Sequence, residues 1–407
     1  MTLCLASFFL AVSPGPFAHA EAQQQDVATP GLDQLRAEHQ RVLEELNKSG
    51  AKGQPLSLDD PRASELLKRG WTIAGAWAAA YLENHPTPSN RELEHIFDGF
   101  APEPQGVKSE YGDFLEYREY NFSGRAVRIG EGIYVVESHY FRDTSTGTFM
   151  VVARNHDGHF QALWNIKDLA EKHYAQRGEI GRWLYLVSRA YYNGPLDVGK
   201  VLPLPPLKDG HARFLVNAFQ SADGGTIGAQ LSIWEWDGAE AKPLLVKLYQ
   251  YAVDFGSLRF DGRIVRILTK EGLGTLFSCG ECATPRGVWT IRITPDGVQD
   301  LGHRFLTPEI QWADELLSKI EKGEDASGLA GPEVIAALKA ETEDAKSEDL
   351  ELDPSRQRRF NLGMIERCRV VHRGQQGAFE IDLDEAKLRF SYVMRNGKHY
   401  FTHVRIQ

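Results

Sequence analysis

Cysteine is scarce in this 407-residue chain: Cys4, Cys279, Cys282 and Cys368 are the four it has, too few for a disulfide-built scaffold. Positive charge is in deficit, with 46 Lys and Arg against 56 Asp and Glu and a net charge of −10. A phosphate backbone is bound by clustered positive charge, so nucleic acid is not expected as a partner. Hydrophobic runs fall short of the roughly 20 residues a membrane-spanning helix needs, and no transmembrane segment is expected in the mature chain. Catalytic signatures are missing too: there is no G-x-S-x-G elbow, no H-E-x-x-H, no G-x-G-x-x-G after a strand and no D-x-D-x-D-G loop. Gly194 to Lys200 has the spacing of a P-loop, but Val201 stands where Ser or Thr should hold magnesium. The following Leu202-Pro203-Leu204-Pro205-Pro206 cannot continue as the required helix. No cofactor is expected. An enzyme is not thereby excluded, because two carboxylates drawn from distant strands leave no local signature.

What is present, 42% hydrophobic and 25% charged residues, suffices for a sizeable core. The mainly apolar run Leu3 to Val12 precedes Pro14, Pro16 and then Ala18-His19-Ala20, the small-x-small pattern a signal peptidase reads. A positive n-region is lacking, since neither Lys nor Arg precedes Ala20. The reading is a signal peptide over 1–20, a flexible leader over 21–30, and a mature chain that is secreted or periplasmic. Cys4 would leave with the signal peptide.

A helical region is expected over 31–105. Leu32, Leu35, Val42, Leu43 and Leu46 recur at helical spacing, and a second helix opens at Asp60-Pro61 and closes at His85-Pro86. Ser89 with Glu92 has the form of a capping box. From 106 to 407 short β-branched runs alternate with turn signals, interrupted by a helical insertion at about 307–350 that opens on Thr307-Pro308 and again on Gly331-Pro332. Four hairpins can be superposed on their turns at Asp157-Gly158, Asp237-Gly238, Asp296-Gly297 and Asn396-Gly397, dipeptides that suit type I′ geometry. Gly158, Gly238, Gly297 and Gly397 lie 80, 59 and 100 residues apart, the last interval holding the insertion. The fold expected is mainly β, built of repeated antiparallel four-stranded units and propeller-like, with a sandwich or large meander as alternatives.

Three motifs carry chemistry. Cys279-Gly280-Glu281-Cys282 is read as a structural disulfide, with a redox pair or half of a zinc site as alternatives. Cys368 and His372, four apart on a strand, could complete a Cys₃His set. Trp234 and Trp236 share one strand face and would form a stacking platform for a flat ligand if exposed, or core if buried. Asn155 to His159 sets two histidines around a turn. Asn47-Lys48-Ser49 and Asn121-Phe122-Ser123 are glycosylation sequons. The function expected is non-catalytic binding or scaffolding for an unidentified ligand or protein partner. The alternative is an extracellular hydrolase with paired carboxylates, acting on carbohydrate.

Overall fold

The computed structural model describes residues 31–407 apart from 58–59, 105, 109–114, 117, 143–144, 167–195, 223–224, 250, 253–257, 271–272, 275, 277, 284, 347–354, 364 and 374–375. Cys4 and the segments expected to be a signal peptide and a leader lie outside the described residues.

Three helices open the chain: α1 (Leu32–Lys48), α2 (Pro61–Asn84) and α3 (Asn90–Glu94). Asp60 caps α2 by accepting the Arg62 N–H at 2.9 Å, and Pro61 fills the first turn, where its missing N–H costs nothing. The Ser89–Glu92 capping box forms in both directions at α3.

A two-stranded pair, β1 (Val107–Lys108) and β2 (Leu115–Glu116), leads into four larger sheets. Sheet I is the meander β3 (Asn121–Gly130), β4 (Ile133–Phe141), β5 (Ser145–Arg154) and β6 (Phe160–Asn165). Sheet II repeats it with β7 (Leu196–Leu204), β8 (Ala212–Ala222), β9 (Gly225–Trp236) and β10 (Ala241–Tyr249). Sheet III holds β11 (Tyr251–Ala252), β12 (Leu258–Phe260), β13 (Ile264–Lys270), β15 (Arg286–Thr294) and β16 (Gly297–Phe305). Between β13 and β15 the chain leaves that sheet, and β14 (Ser278–Ala283) pairs in parallel with the edge of sheet IV. Sheet IV itself is β19 (Ile365–Arg373), β20 (Gln376–Leu383), β21 (Lys387–Arg395) and β22 (Lys398–Ile406). The insertion contributes α4 (Pro308–Glu321), α5 (Pro332–Ala340) and the pair β17 (Thr342–Asp344) and β18 (Arg358–Phe360).

The chain is therefore mainly β, and its repeated unit is the antiparallel four-stranded meander. Each of the four superposed hairpins is the last pair of strands in its sheet: β5–β6, β9–β10, β15–β16 and β21–β22. The turn geometry differs from expectation at three of them. Only Asn396 and Gly397 both take positive φ, 51° and 75°. Pro295 precedes Asp296 in its two-residue turn and cannot adopt positive φ. The other two loops are longer and closed by a side chain. Asn155 Oδ1 accepts from the Asp157 and His159 amides, and Asp237 Oδ1 from those of Ala239 and Glu240.

Packing follows the strand period of two. One face of sheet I, with Phe122, Tyr134, Val136, Tyr140 and Met150, shares a core with α1–α3. Its other face, with Val135, Phe149, Val151 and Trp164, packs on Phe214, Val216 and Trp234 of sheet II. Sheet II turns Leu215, Leu231 and Ile233 to Val265, Ile267 and Ile291 of sheet III. Sheets I to III thus stack as blades do, and helices cover the outer face of the first. The helical region and the β-region are joined by a common core. Gly70 in α2 makes this approach possible, because a Cβ there would overlap the Tyr140 hydroxyl. Sheet IV packs one face, with Phe379, Ile381, Phe390 and Phe401, on α4 and α5. Among the described residues no helix is long and apolar enough to cross a membrane.

Candidate functional site

Trp234 and Trp236 are core residues, 0% and 3% exposed. Trp234 lies with its ring centroid 5.6 Å from Phe149 and 5.4 Å from Trp164, and its Nε1 donates to Ser232 Oγ at 2.8 Å. The stacking-platform reading is corrected accordingly: sheet I covers the face that these indoles share. The hydrolase alternative leaned on exposed aromatics and loses that support.

Cys279 and Cys282 fall on β14, and their side chains, like that of His372, lie outside the described residues. Cys368 on the neighbouring β19 is a free thiol, pushed up to about 12 by burial. The Cys₃His reading turns on these side chains; of its backbone, Cys368 and His372 stand on β19 opposite Ile381 and Gly377 of β20.

Among the described residues, one face of sheet IV enters no hydrophobic core. Across β19, β20, β21 and β22, Arg369, Glu380, Arg389 and Arg405 stand opposite one another in register, and Arg367, Asp382 and Lys387 form the adjoining row. Beyond them Ser391 pairs with His403. These two rows carry five Lys and Arg against two carboxylates, in a chain whose net charge is −10. Glu380, 6% exposed at its side chain, lies beneath the arginines, 2.7 Å from Arg369 and 3.3 Å from Arg389. Lys387 reaches Asp382 at 2.9 Å, the contact that raises its pKa. Arg369 and Arg389 keep 58% and 53% of their side-chain surface in solvent, and Arg405 is exposed. The buried carboxylate thus orders a row of guanidinium groups that still face outward.

The opposite side of the same sheet is locked. The Tyr392 hydroxyl donates to Glu309 Oε1 at 3.1 Å, and His399 Nε2 lies 3.5 Å from the same oxygen. Burial, then the Glu309 charge, pushes Tyr392 up to about 12. Glu309 belongs to the first turn of α4, so this buried trio fixes the helix to the sheet and gives the basic face a rigid support.

A second polar constellation sits at the hairpin ends of sheet II, where Asp209, His211 and Glu235 bring their donor atoms within 4.8 Å of one another. Sequence reasoning missed both surfaces. The arginines were visible as a period-two signal, Arg367/Arg369 and Lys387/Arg389, but Arg405 joins them only once the β21–β22 register is fixed. Asp209 and His211 are 24 or more residues from Glu235, with no local pattern linking them.

No family model matches the chain, and no curated protein matches it. Among solved structures, a complex of the fission yeast SREBP–SCAP binding domains aligns over 76% of this chain and 80% of its own, at 11% identity and a TM-score of 0.23. The polysaccharide lyase Uly1 aligns over 71% of this chain and 46% of its own, at 7% identity and a TM-score of 0.20. Likenesses this slight bear on neither fold nor function.

Proposed function

We propose that this is an exported, non-catalytic binding protein that holds an acidic polysaccharide on the outward face of sheet IV. The observation that carries the reading is the guanidinium row Arg369–Arg389–Arg405, flanked by Arg367 and Lys387, on an overall acidic chain. Guanidinium groups donate two parallel hydrogen bonds to a carboxylate or sulfate, and their rigid fork keeps that geometry. Each exposed pair contributes little alone, so a repeating anion that meets several at once is the ligand such a row suits. The next row on the same face, Val371, Ala378, Ser391 and His403, adds a hydroxyl and an imidazole beside two apolar side chains. Export rests on Leu3 to Val12 and the Ala18-His19-Ala20 pattern.

The test is binding of polygalacturonate at rising salt, with dextran as the neutral control. Micromolar or tighter binding that weakens with salt is expected, and no binding to dextran. The triple variant Arg367→Gln/Arg389→Gln/Arg405→Gln keeps Arg369, the closest partner of Glu380, and should lose at least about tenfold in affinity. Equal affinity of the triple variant would refute the site. Tighter binding to duplex DNA would replace the polysaccharide as ligand, and turnover of the polymer would overturn the non-catalytic reading.

A further inference from the structure

The hairpin ends of sheets I to III meet along one rim. A Cβ at Gly130, where β3 turns into β4, would lie 3.5 Å from Ala212 at the start of β8. The Lys208 amide donates to Pro295 O at 2.9 Å, and its ammonium reaches Asp296 at 2.7 Å. On this rim His211 Nδ1 lies 2.6 Å from Glu235 Oε1 and 3.6 Å from Asp209 Oδ2. The other oxygen of Asp209 accepts the His211 amide at 3.1 Å, which sets Oδ2 toward the imidazole.

The loop holding Asp209 and His211 is anchored from below. Arg213, 0% exposed, donates to the carbonyls of Pro205 at 2.7 Å, Pro206 at 3.2 Å, Thr294 at 2.8 Å and Gly297 at 3.0 Å. Its guanidinium therefore stitches the loop to the β15–β16 turn of the neighbouring sheet, committing four of its five N–H donors to those carbonyls. The rim's lysines are engaged elsewhere, Lys242 with Asp237 and Glu240 and Lys208 with Asp296.

We infer that Asp209, His211 and Glu235 form a binding site for one divalent first-row transition-metal ion of the zinc type, independent of the polysaccharide face. One imidazole nitrogen and two carboxylate oxygens match the donor preference of such ions. Ligands at about 2.0–2.2 Å from a central ion stand about 3.4 Å apart in a tetrahedron, so His211 Nδ1 and Glu235 Oε1, 2.6 Å apart, need to part by about 0.8 Å, while Asp209, within 4.8 Å of both, closes in. The partial exposure of His211 and Asp209, 38% and 53% at their side chains, leaves room for water at the remaining coordination positions.

The experiment is calorimetric titration of the chelator-treated full chain with zinc chloride. One ion per chain at micromolar affinity is expected. His211→Ala and, separately, Glu235→Gln should each weaken binding by at least about tenfold, whereas Cys279→Ser/Cys282→Ser should bind as the parent does. No binding by the parent, unchanged binding in His211→Ala, or loss of binding in the cysteine variant instead would overturn the assignment.

Discussion

Sheets I and IV have the same four-stranded meander and opposite environments. In β4, seven consecutive residues from Tyr134 to Tyr140 are buried, because α1–α3 cover one face and sheet II the other. Even its polar members are enclosed, Glu137 at 1% exposure answered by Arg125 at 3.0 Å. In β21, Leu388, Phe390 and Tyr392 are buried while Lys387, Arg389 and Ser391 between them face outward. The contrast teaches where a stacked β-protein can act. Between two layers each strand has both faces committed to packing, and only a sheet with one covered face has side chains to present along its length.

Three predictions sharpen that contrast. Trp234→Ala, between the layers, should cost about 3–5 kcal/mol by chemical denaturation, because neighbours on both faces prevent the site from collapsing around the lost indole. A loss below about 1 kcal/mol would mean that sheets I and II pack loosely. The second concerns His39, fully buried in the helical layer with its Nε2 2.8 Å from the Tyr140 hydroxyl. Burial lowers its pKa from the ordinary 6.5 to about 3. The unfolded chain therefore takes up a proton that the folded chain refuses, and stability falls as pH drops through 6.5 toward 3. By pH 5 the loss should be about 2 kcal/mol relative to pH 7.5, and His39→Gln should remove it. The smallest effect is on the open sheet: Arg405→Ala should change stability by no more than about 0.5 kcal/mol, within what an exposed side chain contributes.

How much of this was legible in the sequence follows the same division. Local chemistry was readable: the Asp60-Pro61 start of α2, the Ser89–Glu92 box and the Thr307-Pro308 opening of α4 all stand where the residues placed them. The hairpins were also readable, since an Asp-Gly or Asn-Gly pair between apolar runs is a short-range signal. Their turn types were less so, because Pro295 and the capping side chains of Asn155 and Asp237 overrode the dipeptide preference. The environment of Trp234 and Trp236 depended on which sheet lay above them, and no residue near them in sequence reports that. Arg405 and Glu235 had the same difficulty, since each acquires its role from strands brought alongside by register.

The helices on sheet I also set a limit on growth. A stack of meanders has two ends, and any end left bare offers its apolar face to the next sheet, including one from another copy of the chain. Covering Phe122, Tyr134 and Tyr140 with α1–α3 makes the array finite at that end. The amino-terminal region is then less an appendage than a stopper: it ends the series of layers and denies head-to-tail filaments a starting surface.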